Sequence, residues 1–220
     1  MSEKPFSFEI NPKEVDEAVA LFKFVGGNTD QAFSVAINRT ATKVRSGTKL
    51  KNGQSVSARI RSQVNLSASY VNKRLTIKKA SRKELRGALR ALYRGVLLSR
   101  YSTNAIIRND GIKKSTLDVP KPPPRGIRVK VKPKGSTEAL SSDYFYMRLR
   151  GSGVIAIARR TGLYPQRGYD VPYGPSVGQV FRGLPTQGVR DQVTPGAADQ
   201  FEFELLDAMR FVLAKKYPKE

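Results

Sequence analysis

Positive charge in this chain is concentrated in one stretch, and that stretch limits how the chain can fold. Residues 38–132 hold 25 Lys and Arg against three Asp and Glu, a net of +22. Residues 1–37 hold three against six, and residues 133–220 hold 12 against nine, so the flanks nearly cancel. Self-repulsion of this size is hard to keep on a compact monomer without a polyanion or an acidic protein surface nearby. Nucleic acid is the natural complement, because neutralising phosphates releases counterions and needs only well-placed Lys and Arg. The plainer reading of the same charge is a soluble basic surface with no specific partner.

The rest of the composition excludes chemistry. Among 220 residues there is no Cys, His or Trp. Disulfides, the usual zinc ligand sets, a thiol nucleophile and a His general base are therefore absent. Asp and Glu are scattered, without paired-acid or metal-ligand spacing, and G-S-G at 151–153 lacks the following helix and Lys of a phosphate loop. The expectation is a protein that is not an enzyme and holds no cofactor or metal. No apolar run reaches the roughly 18 residues of a bilayer span, and M-S-E-K-P-F-S-F-E-I-N lacks the apolar centre of a signal peptide. A soluble protein made in a cytoplasm and not associated with membrane is expected.

The N-terminal part reads as helical. Asn11-Pro12-Lys13-Glu14 is a helix start, Val15, Ala18, Val19 and Phe22 follow at helical spacing, and Gly26-Gly27 ends the pattern. Asn28 or Thr29 caps a second helix with Ala32, Phe33, Ala36, Ile37 and Ala41 on one face. Val56, Ile60 and Val64 suggest a third helix over 55–64, and Ser67 caps a short one over 67–76 with Tyr70, Val71 and Leu75 inward. This last pair loosely resembles a helix-turn-helix but lacks the turn glycine. Lys73, Arg74, Lys78, Lys79, Arg82 and Lys83 crowd the turns that follow.

Beyond residue 84 the signal turns to strands. Leu89, Ala91 and Tyr93 alternate with Arg90 and Arg94, and Gly95 shifts the phase before Val96-Leu97-Leu98, which predicts a strand bulged at Gly95; a helix over 83–98 is the rival. A Pro-rich, flexible loop occupies 102–126. Ile127, Val129 and Val131 alternate with Arg128, Lys130 and Lys132, a strand with a basic face. Tyr144–Leu149 and Val154–Arg159 flank Gly151-Ser152-Gly153 as a hairpin. These strands predict an α+β fold with an antiparallel sheet of about four strands and an N-terminal helical region. A long C-terminal helix, capped by Thr194 before Pro195, would pack on the sheet through Ala198, Phe201, Leu205, Ala208, Met209 and Val212. The organisation expected is a helical basic region over 1–84 and a sheet with C-terminal helices over 85–220, in one composite domain.

Tyr173-Gly174-Pro175-Ser176-Val177-Gly178-Gln179-Val180-Phe181 links the two kinds of structure. Gly174 offers backbone freedom, Pro175 suits a first helical turn, and Val177, Val180 and Phe181 share a helical face, so a strand-to-helix corner is expected.

Four stretches together resemble the minor tail protein Z family of long-tailed bacteriophages. They are A-I-N-R-T-A-T-K-V-R (36–45), the basic helical region ending at L-T-I-K-K-A-S (75–81), the hairpin F-Y-M-R-L-R-G-S-G-V-I-A-I-A-R-R-T-G (145–162) and Y-G-P-S-V (173–177). The run at 89–100 departs from the family in lacking a Pro after its Gly. The resemblance implies a structural virion protein, a tail-completion or neck component at the head-proximal end of the tail, assembled in the host cytoplasm. It implies a six-fold ring around the DNA path, with tail terminator, tail tube and head–tail connector proteins as partners and genomic DNA in the lumen. On this reading Tyr173, Gly174, Pro175, Val177 and Phe181 set a subunit corner, and Lys73, Arg74, Lys78, Lys79, Arg82, Lys83, Arg128, Lys130 and Lys132 meet DNA or an acidic partner. The rival is a basic nucleic-acid-binding protein acting outside any virion.

Overall fold

The computed structural model describes residues 19–20, 22–23, 28–47, 50, 53–104, 121–150, 152–161, 168–183 and 188–216. The fold mixes N-terminal helices, small antiparallel sheets and a long C-terminal helix. The chain forms two compact units, and neither is a single run of sequence. The first combines residues up to Ile60, Ala68–Leu92 and Gly178 onward; the second combines Arg61–Ser67 and Tyr93–Val177.

The first unit is organised by two helices distant in sequence. Helix α1 (Thr29–Ser46) starts at Asn28, whose side chain accepts a hydrogen bond from the Gln31 amide at 3.0 Å. Asp30 lies near its positive end and Lys43 and Arg45 near its negative end, as the helix dipole favours. Its buried side includes Ala32, Ala36, Thr40 and Val44. Against this face lies α5 (Val189–Lys216), through Phe201, Leu205, Ala208, Met209 and Val212, with Phe22 joining the same core. The rings of Phe33 and Phe201 meet with centroids 6.3 Å apart. The small Ala32 and Ala36 let the helices approach while Phe201 and Leu205 fill the space between, which is why the apolar stripe of α5 is satisfied by α1 and not by a sheet.

Helix α5 also begins earlier than Thr194-Pro195 suggests. Pro195 lies inside it. Its fixed φ is compatible with a helix, and the hydrogen bond its missing N–H forfeits is the one to the carbonyl of Asp191, an exposed residue that water can serve. The Thr194 hydroxyl donates to the Arg190 carbonyl at 3.0 Å, so it bonds back into the helix and caps nothing.

The remainder of the first unit comprises most of α2 (Val56–Gln63), α3 (Ala68–Arg74), a two-stranded hairpin and most of α4 (Val177–Arg182). Helix α3 stops at Arg74, where residues up to 76 were expected to be helical. Strand β1 (Leu75–Lys78) begins there and pairs antiparallel with β2 (Ala88–Ala91), Leu75 opposite Ala91 and Lys78 opposite Ala88. The alternation Leu75-Thr76-Ile77-Lys78, with two β-branched residues, suits a strand with one covered face.

In the second unit, β3 (Val96–Leu97) leads into a 3-10 turn at Leu98–Tyr101 and pairs with β9 (Tyr173–Gly174). Strand β4 (Arg128–Val129) pairs with β5 (Glu138–Ala139). The hairpin read at 144–159 is present as β6 (Tyr144–Arg148) and β7 (Ile155–Arg160), with Tyr146 opposite Ile157, and β8 (Tyr169–Asp170) adds to β7. Ile155, Ala156, Ile157 and Ala158 are all buried, so both faces of β7 are covered.

Among the described residues the strands do not join into one four-stranded sheet; they form three two-stranded sheets and one of three strands. Both edges of β4 are already used: the Lys130 and Thr103 amides link it to residues 101–103, and the Leu140 amide bonds the Ile127 carbonyl on the other side. The expected strand over 88–98 is likewise split, because β2 pairs with β1 and β3 with β9, with exposed Leu92, Tyr93 and Arg94 between. Gly95 is not a bulge inside one strand. It makes room for the Tyr173 ring, whose Cδ1 would lie 3.0 Å from any Cβ placed there. Among the described residues no helix is long and apolar enough to cross a membrane. The helix start at 11–14 and most of the 102–126 loop lie outside the described residues.

Candidate polyanion interface and the Tyr101 corner

The β1–β2 hairpin gathers the basic residues of 73–83 into a defined object. Leu75, Leu89 and Ala91 are buried, so Thr76, Lys78 and Arg90 occupy the opposite, exposed face, with Thr76 directly across from Arg90. At the far end, Ser81 and Glu84 exchange backbone hydrogen bonds of 2.9 and 3.2 Å, which leaves Arg82 and Lys83 at the apex of a tight turn. Lys79 and Arg86 flank the turn and are exposed. Lys73 is exposed on α3, and the Arg74 guanidinium lies 5.2 Å from the centroid of the Tyr70 ring.

Residues 74–90 thus carry seven cationic side chains and one carboxylate, Glu84. That carboxylate is occupied: Lys78 Nζ donates to its Oε1 at 2.8 Å. The hydrogen bond and charge of Lys78, with a smaller contribution from Arg86, hold the Glu84 pKa below the ordinary carboxylate value.

α1 fixes this hairpin in place. Asn38 Nδ2 donates to the Ala80 carbonyl at 2.9 Å, and its Oδ1 accepts from the Ala80 amide at 2.8 Å. The side-chain amide thereby satisfies both backbone groups of a residue at the edge of the turn. Ile37 lies beneath Gly87, where a Cβ would come within 2.5 Å of Ile37 Cγ2. The next residues of α1 turn toward α5. Arg39 pairs with Asp207 and lies over Phe211, while Lys43 pairs with the buried Glu204 and lies over Phe203. Glu204 also accepts from Gln200 Nε2 at 2.9 Å. The stretch A-I-N-R-T-A-T-K-V-R is therefore the junction at which hairpin and C-terminal helix are both held.

The second basic group is placed differently. Arg128 and Lys132 are exposed, Lys130 is half-buried, and all three belong to the second unit, whereas the hairpin belongs to the first. The Lys130 backbone is fully engaged, its amide with Tyr101 and its carbonyl with Asn65 Nδ2 at 2.9 Å. Arg128 and the arginines of the 144–160 hairpin do not share a strand face, since β4 and β6–β7 lie in different sheets. Arg148 instead donates to the Gly153 carbonyl at 2.9 Å and closes its own turn, and Arg160 lies over Phe145.

At the corner, Tyr101 is the organising side chain. It is fully buried, and its hydroxyl donates to the Pro175 carbonyl at 2.9 Å. A Cβ at Gly174 would overlap ring carbons Cε2 and Cδ2 of Tyr101. Gly174 is required for space here; its φ is not among the positive values, which occur at Gly53, Gly126, Gly153 and Gly183. Pro175 precedes the helix, which begins at Val177. Ser176, Val177 and Phe181 are buried, Gly174 and Pro175 are half-buried, and Tyr173 keeps 60 % of its surface exposed.

The basic density is plain in the sequence, but its shape is not. Arg86 and Arg90 were visible as part of the charge excess; Asn38 and Tyr101 were ordinary helix and strand-end residues by spacing, and only the tertiary contacts reveal them. Among the described residues no group of three or more Asp and Glu side chains converges as a metal site. No protein-family model, curated protein or solved structure matches the chain.

Proposed function

We propose that this chain is a structural component of a long-tailed phage particle, a tail-completion or neck protein of the minor tail protein Z kind that acts as a ring at the head-proximal end of the tail. One observation carries the reading. The run most like that family, Tyr173–Val177, is shaped by geometry and not by chemistry: Gly174 clears the Tyr101 ring, Pro175 supplies a carbonyl to its hydroxyl, and Val177 is buried. Tyr173 alone of this run remains mostly exposed, as an aromatic anchor for a neighbouring subunit. In a closed ring each subunit offers two different surfaces, so one protruding aromatic per subunit is enough to be repeated around the circle.

The test is the mass of the purified protein by light scattering, together with mass spectrometry of purified particles. The expected result is a closed oligomer and one ring's worth of copies per particle. A monomer that is absent from particles sinks this reading. The basic hairpin favours a second reading, a nucleic-acid-binding protein acting outside any virion. It expects a monomer or dimer whose mass rises only when nucleic acid is added, and the same measurement separates the two.

A further inference from the structure

We propose that the β1–β2 hairpin is a rigid docking ribbon for the sugar–phosphate backbone of duplex nucleic acid, engaged without regard to base sequence. This assignment does not depend on the tail reading. Of the seven cations, Lys78 is spent on Glu84 and Arg74 is stacked on Tyr70 while keeping its charge. Lys79, Arg82, Lys83, Arg86 and Arg90 are exposed and make no ion pair among the described residues. Their mutual repulsion is relieved by phosphates, with release of condensed counterions.

The presentation is preorganised. Asn38 grips both backbone groups of Ala80, the Ser81–Glu84 turn fixes Arg82 and Lys83 at the apex, and Ile37 supports Gly87. Binding therefore orders little besides side chains. A two-stranded ribbon is also an element that the major groove of a duplex accommodates.

Residue types choose the partner. Three of the seven cations are Lys, a residue depleted at protein–protein interfaces, and residues 75–91 contain no aromatic side chain to anchor a protein partner. The same lack of aromatics removes the stacking platform that single strands use. Neither Asn nor Gln occurs in 75–91 to pair with adenine; Arg and Lys can also reach guanine edges, so A·T-only and mixed-sequence duplexes should bind alike if the ribbon reads the backbone.

The experiment is fluorescence anisotropy of a labelled mixed-sequence DNA duplex with the full-length protein, titrated at several salt concentrations. The quadruple variant Lys79→Gln, Arg82→Gln, Lys83→Gln, Arg86→Gln is compared with a control, Arg128→Gln, Lys130→Gln, Lys132→Gln, Lys134→Gln, that removes equal charge from the second unit. Each phosphate contact contributes about 0.9 to the slope of log affinity against log salt, so the hairpin variant flattens it by about 3 to 4 and loses at least tenfold in affinity at about 0.1 M salt. The control keeps most of both. Equal losses in the two variants, or none in either, overturn the proposal. Tighter binding of poly-glutamate or of phosphatidylserine vesicles than of duplex at matched salt overturns the choice of partner. Hydrogen exchange on the unmodified protein supplies a check free of mutation: duplex should slow amide exchange across 79–90, and unchanged exchange there refutes docking at the hairpin. None of these outcomes alters ring mass or particle content, so this proposal and the tail reading fail separately.

Discussion

Tyr101 and Gly174 occupy one another's space: the phenol ring lies where a side chain at 174 would begin, and the hydroxyl reaches past it to the Pro175 carbonyl at 2.9 Å. The corner is thus a mutual fit of an absent side chain and a buried aromatic. Gly174→Ala is expected to cost about 1 to 3 kcal/mol by overpacking. Tyr101→Phe, which leaves the Pro175 carbonyl without its donor, is expected to cost about 1 to 3 kcal/mol as well. Chemical denaturation measures both. Tyr101→Leu combined with Gly174→Ala should be less destabilised than the two single changes added together, because the smaller residue relieves the clash; strict additivity would show that ring and glycine do not interact.

Asn38→Ala removes a donor and an acceptor from Ala80 at once, and Ala80 is itself buried. A loss of about 1 to 3 kcal/mol is expected. The more diagnostic result is local: amide exchange at Ala80 should accelerate before that of α1. Asn38→Asp keeps the acceptor for the Ala80 amide but no longer donates to the carbonyl, and should fall between wild type and Asn38→Ala.

Two ion pairs join α1 to α5, and their burial ranks them. Arg39 and Asp207 are both substantially exposed, so this pair is worth about 0 to 1 kcal/mol. Glu204 is nearly buried, with 3 % of its side chain exposed, although Lys43 reaches solvent. Lys43→Met therefore leaves a buried carboxylate with only Gln200 for support, and should destabilise more than Arg39→Met. Pairing Lys43→Met with Glu204→Leu should recover much of that loss. Thermal unfolding of the three variants tests the order.

The depressed pKa of Glu84 gives a pH dependence with a definite sign. Its pairing with Lys78 is fully present above the unfolded-state carboxylate pKa and is lost as pH falls through the lower, folded-state value. Below that point Lys78 is released and the hairpin gains one free cation, so affinity for a polyanion should rise on acidification. NMR titration should place the Glu84 carboxyl below the ordinary glutamate value, and Lys78→Gln should return it toward that value. An unshifted Glu84 in the unmodified protein contradicts the geometry.

Strong local periodicity made some elements readable from residues alone. Asn28 or Thr29 as cap, with the Ala32/Ala36 face, marked the start and buried side of α1, and apolar runs on either side of a glycine turn marked β6 and β7. The misses have physical causes. Leu75–Lys78 is a four-residue strand continuous with a helix, too short for periodicity to resolve, and its partner lies across a turn closed by Ser81 and Glu84. Pro195 reads as a helix start because that is its commonest place, yet a helix with an exposed carbonyl at Asp191 tolerates it internally. The charge of the hairpin was plain in composition, but its rigidity depends on Asn38, whose partner is 42 residues away.

The α1–α5 contact joins residues far apart along the chain; Arg39 and Asp207 are separated by 168 positions. Closing so long a loop is entropically costly and slows folding relative to local contacts. During synthesis the whole of 93–177 leaves the ribosome before α5 exists, so α1 must wait with Ala32, Ala36 and their neighbours unsheltered. Completion of the first unit therefore waits for α5: a chain cut short before residue 200 would keep its second unit whole in sequence while its charged hairpin stood on an unfinished base.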